Sequence, residues 1–310
     1  MGDKHKLGQW LGTGVSLILV VVSLLFIGQR LNQQWSELSL WRPDGATLIT
    51  LCVGIITYGM ACLCLSYAWR KLLCSSKIPQ LPSSEYTRIY ARSQIGKYIP
   101  GNIFHIAGRH ALGLKAGIGH RPLAYAAIAE MIGLMSAAMT VAISGGGVYR
   151  FFAPRLNFCL LAAVVVIVCI VFLLLFRYKP QIIENGYRAI VKSLSPGTLS
   201  AWVFSYLAYI GFFLVAGITL LALVMIVSDT VPLHIMPSIV GSFSIAWAAG
   251  FLTPGAPSGI GVREAILVLA LESTMTQADA ILVAILFRSV TVLGDVVFLL
   301  LFGNPGKKGS

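Results

Sequence analysis

Charge is what this chain has least of: Asp, Glu, Lys and Arg make up 11% of its 310 residues, against 57% apolar ones. With a mean hydropathy of +0.84, too little polar material remains to coat a water-soluble domain of this length. A bilayer has to be the solvent, so the expected fold is an all-α polytopic membrane protein with one transmembrane domain over 1–310. Nucleotide loops are missing too. Gly145, Gly146 and Gly147 follow no strand and precede no Lys-Ser/Thr pair, so they read as a helix stop, and transport driven by this chain's own ATP hydrolysis is not expected. No His, Cys or carboxylate cluster stands at metal spacing, which predicts neither a metal nor any other cofactor. The six cysteines, Cys52, Cys62, Cys64, Cys74, Cys159 and Cys169, avoid the expected exterior loops. They read as small packing residues, without a disulfide framework.

What is present is a series of apolar runs near the roughly 20 residues that a helix needs to cross about 30 Å of hydrocarbon. Six are expected to span: 10–28, 46–68, 123–143, 158–176, 201–227 and 280–302. The first lacks a small-residue cleavage site and is read as a mature helix. Basic residues gather before the first span (Lys4, Lys6), after the second (Arg70, Lys71, Lys77, Arg88, Arg92, Lys97), after the fourth (Arg177, Lys179, Arg188, Lys192) and at the end (Lys307, Lys308). The positive-inside rule then predicts a multi-pass protein of the cell inner (plasma) membrane with both termini cytoplasmic, Arg150 and Arg155 being the exceptions. The net charge of +12 is scattered over helix ends with no aromatic platform, so anionic lipid is the expected partner and nucleic acid is not. Small residues over 124–129 suit a helix interface, within the chain or in a homodimer.

Two further stretches, 86–119 and 237–271, are apolar yet broken. Pro100-Gly101 in one, and Pro254-Gly255 followed by Pro257, Gly259 and Gly261 in the other, remove amide donors and permit positive φ. Each stretch should be two half-helices meeting at a turn, a re-entrant hairpin, and irregular backbone at membrane depth implies a protein-lined or watery cavity. Aligned without a gap, GKYIPGNIFHIAGRHAL (96–112) and GFLTPGAPSGIGVREAI (250–266) share six identities in seventeen columns, where chance gives roughly one. That points to a duplication with half-repeats at about 46–150 and 200–302, inverted if each hairpin returns to its own side.

Ions inside apolar runs are costly and mark pairs or wet paths. Glu130 lies in the third span, Arg288 and Asp295 in the last, and Arg109 and Arg263 follow the two breaks, with Glu264 next to the latter. Internal salt bridges, such as Glu130 with Arg109 or Arg263 and Asp295 with Arg288, are one reading. The other rests on arginine following a Pro-Gly turn twice: a restarting helix offers free amides and its positive end, and a guanidinium adds a fork suited to phosphate. Lys97, Tyr98, Asn102 and His105 extend the first cradle, Thr253 and Ser258 the second. His105 taken alone reads as an ordinary hydrogen-bonded histidine, and His110 and His120 as surface residues.

KYIPG, Arg109, Glu130, TPG and GIGVREA together resemble the transmembrane family of lysylphosphatidylglycerol synthase/flippase proteins. The resemblance is strongest over 90–135 and 245–272. It implies a flippase-like bundle moving a phosphate-bearing lipid between leaflets, with family function on Lys97, Pro100, Gly101, Arg109, Glu130, Pro254, Gly255, Gly259, Gly261, Arg263 and Glu264. With the chain ending at Ser310, no synthase domain is expected, and aminoacyl transfer with it. The expected function is therefore a lipid transporter, with Arg109, Arg263, Glu130, Lys97, Glu264, Asn102 and Arg288 as substrate-binding residues and none catalytic. The alternatives are an intramembrane lipid-phosphate transferase with Glu130 or Glu264 as base, or a scaffold for a glycosyltransferase.

Overall fold

The structure, a computed structural model, describes residues 28–29, 32–34, 41–75, 81–99, 103–146, 196–228, 231–253 and 257–304. Within them the elements are α1 (Gly45–Cys74), α2 (Ser83–Gln94) with a 3-10 turn (Ile95–Tyr98), α3 (Phe104–Lys115), α4 (His120–Ser144), α5 (Pro196–Val227), a 3-10 turn (Leu233–Ile235), α6 (Met236–Leu252), a 3-10 turn (Pro257–Gly259), α7 (Val262–Leu271) and α8 (Gln277–Phe302). No strand occurs among the described residues. The expected spans at 46–68, 123–143, 201–227 and 280–302 correspond to α1, α4, α5 and α8. Those at 158–176 and, but for Gly28, at 10–28 lie outside the described residues.

Five helices are long and apolar enough to cross a membrane, and the fifth is one that the broken reading of 237–271 did not count: Leu233–Leu252, of 20 residues and hydropathy 1.6. Pro237 stands in its first turn, where a missing amide costs nothing, and the helix ends at Leu252, ahead of the expected break at Pro254-Gly255. By contrast α2 and α3, 12 residues each, reach only about 18 Å, and α7, with 10, about 15 Å.

The bundle is inverted in polarity relative to a water-soluble protein. Ile49, Val53 and Ile56 on α1, Ile128 and Ile132 on α4, Phe204 and Ile218 on α5, and Leu300 and Leu301 on α8 face outward, while Arg109, Glu130 and Asp295 are buried. Such an apolar outer face is at home in lipid. Aromatic rings fill the centre between α5, α6 and α8: Phe213 lies 5.1 Å from Trp247 and Phe243 lies 5.3 Å from Phe287, both edge to face.

Contacts fix the helix directions. Gly54 meets Thr219, Tyr58 stacks edge-on with Phe212 at 5.7 Å and Ser205 donates to the Ala68 carbonyl, so α1 and α5 are antiparallel. Gly54 with Val290 and Gly59 with Gly294 make α8 parallel to α1. Trp202 with Tyr125 and Tyr209 with Gly133 make α4 parallel to α5. Hence α1 ends and α4 begins at one end of the bundle, and both arms of the α2–α3 hairpin open there. Arg92 donates to the Gly303 carbonyl at that end, and deeper in, Lys97 reaches Asp295. Likewise α5 ends and α8 begins at the opposite end, from which α6 enters, with Gly145 against Pro237, and to which α7 returns. The order long helix, broken pair, long helix thus occurs twice, over 45–144 and 196–302. The packing follows suit: the first helix of each half lies against the last helix of the other, and the 95–98 and 257–259 turns touch.

Candidate functional site: a buried cationic cavity at the paired breaks

The site is assembled from helix midpoints and hairpin tips. Tyr58, Glu130 and Phe212 sit near the middle of α1, α4 and α5, and they share one cavity with Gln94 and Lys97 from the first hairpin's inward arm, His105 and Arg109 from its return arm, and Trp247, Ser258 and Arg263 from the second. Its volume is about 60 Å³, room for a handful of waters.

Arg109 is fully engaged. Its Nη1 is salt-bridged to Glu130 Oε2, its Nε donates to Ser93 Oγ at 3.2 Å, and its guanidinium lies 3.6 Å from the Tyr90 ring. The Tyr90 hydroxyl donates to the other Glu130 oxygen at 2.6 Å. With Arg109 4% and Glu130 6% exposed, this is a buried ion pair whose remaining valences are met by neutral groups, as desolvation demands. The first expected cradle therefore holds an internal carboxylate.

Arg263 is different. Among the described residues it makes no hydrogen bond or ion pair, and its buried Nε has no partner. Glu264, its neighbour, is taken: one oxygen accepts from the Gly261 amide at 2.7 Å, capping α7, and the other faces Arg288 Nε at 3.4 Å. Two glycines clear the slot that Arg263 occupies. A Cβ on Gly250 would lie 2.4 Å from Arg263 Cγ, and one on Gly259 2.8 Å from Nε. Gly259 and Gly261 also take left-handed φ of 68° and 83°, and Ser258 joins them at 50°, a strained choice for a residue with a side chain. The guanidinium lies 5.7 Å from the Trp247 ring.

A third pair crosses between the halves. Lys97 Nζ lies 2.6 Å from Asp295 Oδ2, which also accepts from the Tyr98 hydroxyl, and Cys62 Sγ is 3.8 Å from Oδ1. The expected pairing of Asp295 with Arg288 does not form. Seven residues put them on one face but about 10 Å apart along the axis, so Asp295 turns to the first hairpin and Arg288 to Glu264.

Of the sequence-predicted residues, the structure thus gathers Lys97, Arg109, Glu130 and Arg263 around one cavity. Arg263, Glu264 and Arg288 line a second one beside it, with Phe243, Trp247 and Phe287. Asn102, Pro100, Gly101, Pro254 and Gly255 lie outside the described residues. Thr253 contributes nothing to a cradle, because its hydroxyl donates to the Ala249 carbonyl of its own helix at 2.8 Å. His105 departs from the ordinary reading: its buried Nδ1 has no partner among the described residues, as is also true of Ser258 Oγ. Of the two histidines expected at the surface, His120 is exposed, whereas His110 is half-buried, its Nε2 3.1 Å from His120 Nδ1. Sequence reasoning missed Tyr90, Ser93, Gln94 and Trp247. The first three carried a signal, since Tyr86, Tyr90, Ser93, Gln94 and Lys97 repeat at three- and four-residue steps along one helical face. No group of three metal-ligating side chains occurs among the described residues.

No protein-family model matches the chain, and no curated protein or solved structure does either.

Proposed function

We propose that this protein is a lipid transporter of the flippase type, moving a lipid with a phosphate headgroup between the leaflets of the inner membrane. One observation carries the reading: Arg263, a guanidinium without a counter-ion among the described residues, faces a mid-bundle cavity in which His105 Nδ1 and Ser258 Oγ likewise find no partner among them. Unmet buried donors beside an unmatched cation call for an oxyanion. The resemblance of the motif residues to the lysylphosphatidylglycerol synthase/flippase family points the same way. So does the architecture, in which two helical hairpins come from opposite ends of the bundle and meet at the site, an arrangement that suits alternating access. A cavity of about 60 Å³ has to widen to admit a headgroup.

Orientation follows from charge. Arg70, Lys71, Arg88, Arg92, Lys115 and Arg121 lie at the end where the first hairpin opens, and of the described Lys and Arg residues Arg42 lies at the other, a bias that supports a cytoplasmic first end. A lipid-phosphate transferase is the weaker reading, because its candidate bases, Glu130 and Glu264, are both bound by arginine.

In vesicles reconstituted with Arg263→Gln, headgroup translocation is expected to vanish while size-exclusion profile and melting temperature stay near those of the unmodified protein. Undiminished translocation removes Arg263 from the transport site and the reading with it. A covalently altered lipid in the mass spectrum turns the assignment to an enzyme.

A further inference from the structure

The central ionisable groups can be paired off one by one. Lys97 takes Asp295, Arg109 takes Glu130 and Arg288 takes Glu264. Among the described residues Arg263 is left over, so four cations face three carboxylates. The segments that flank the hairpin tips, 100–102 and 254–256, are Pro-Gly-Asn and Pro-Gly-Ala and bring no charge of their own. The Lys97 and Arg109 pairs are close and buried, whereas Arg288 stands 3.4 Å from Glu264. Both Glu130 oxygens and both Glu264 oxygens are occupied, and Asp295 is wholly buried beneath Lys97 and Tyr98.

We infer that the site is selective for an oxyanion of one net charge, a phosphodiester, over a diphosphate with two or more. The inference rests on the transporter reading and names its substrate class. A monoanion against Arg263 makes the buried cluster neutral. A second negative charge would find no cation and would stand in the same low-dielectric centre among three carboxylates, where an unmatched ion is heavily penalised. The neutral groups agree with that count. Ser258 Oγ supplies a hydroxyl and His105 Nδ1 one ring nitrogen, enough with the guanidinium for the two non-bridging oxygens of a diester but not for the oxygens of a diphosphate. Lipids with a phosphodiester head, whether glycerol-based or with a sugar joined through one phosphate to a polyprenyl chain, belong to this class.

The test compares binding with no translocation step. Purified protein in detergent at pH 8 is titrated with dihexanoyl phosphatidylglycerol and, separately, with farnesyl diphosphate, and affinity is read from the shift of the melting temperature. The diester is expected to bind at least tenfold more tightly than the diphosphate, and Arg263→Gln to lose that binding while Arg263→Lys keeps part of it. Tighter binding of the diphosphate, still dependent on Arg263, overturns the single-charge inference and leaves the anion-site reading standing. Binding of neither probe in an Arg263-dependent way overturns both. Since the ranking is measured on the unmodified protein, a variant that fails to fold does not blunt it.

Discussion

At the scale of single residues, glycine decides where the free cation points. Arg263 lies in a slot lined by Gly250 and Gly259, and a methyl group at either would collide with its side chain at 2.4 or 2.8 Å. Gly250→Ala is expected to cost about 1–3 kcal/mol by overpacking and to displace the guanidinium, lowering anion affinity more than an alanine elsewhere on α6 does; denaturation and lipid titration of the same sample check both. The repeat alignment singled out Gly250 without supplying a reason, and the reason is contact across a turn, which one-dimensional spacing does not encode. The ions themselves were legible, because a charged letter inside an apolar run stands out. Their partners were not: Lys97 and Asp295 are 2.6 Å apart in space yet belong to opposite halves of the chain, and the packing of α2 and its 95–98 turn against α8 brings them together.

At the scale of elements, each half ties its short return helix to its last long helix by one ion pair, with the signs exchanged: Arg109 on α3 to Glu130 on α4, Glu264 on α7 to Arg288 on α8. Removing one member of the buried first pair strands the other. Arg109→Gln is therefore expected to destabilise the bundle by about 3–5 kcal/mol, and Arg109→Gln with Glu130→Gln by distinctly less; chemical unfolding of the three proteins gives the comparison. A milder effect belongs to the start of α1. Asp44 accepts from the Thr47 hydroxyl at 2.6 Å and amide at 2.8 Å, bonds that hold its pKa below the ordinary 3.8. A carboxylate so lowered stabilises the folded state above its unfolded pKa, and the contribution disappears as pH falls through the lowered folded value. The stability difference between the unmodified protein and Asp44→Asn is expected to be constant near neutrality and to vanish in acid, as melting curves across that range would record. Long helices were readable from their apolar runs. The extent of α6 was not: its 17 residues lie wholly ahead of the expected break at Pro254-Gly255, and weighing 237–271 as one broken stretch hid a helix of that length.

At the scale of the molecule, the proposed topology makes a strict demand on accessibility. With native cysteines replaced, single cysteines at Ser83 and Lys115, on the two arms of the first hairpin, should react with an impermeant thiol reagent from the same side of a sealed vesicle, and one at Ser273 from the opposite side. Labelling of Ser83 and Lys115 positions from different sides would show the hairpin to cross outright. The inverted arrangement has a further consequence, drawn from the place where the 95–98 and 257–259 turns touch. In a cycle that bares the cavity to one face at a time, the membrane voltage falls mainly across this thin septum, and each elementary charge moved through it feels about 2.3 kcal/mol per 100 mV. If the protein is the transporter proposed, the laden cavity, neutral, would cross without sensing the field, and the unladen one would carry Arg263 uncovered, confining the electrical work of the cycle to its empty return.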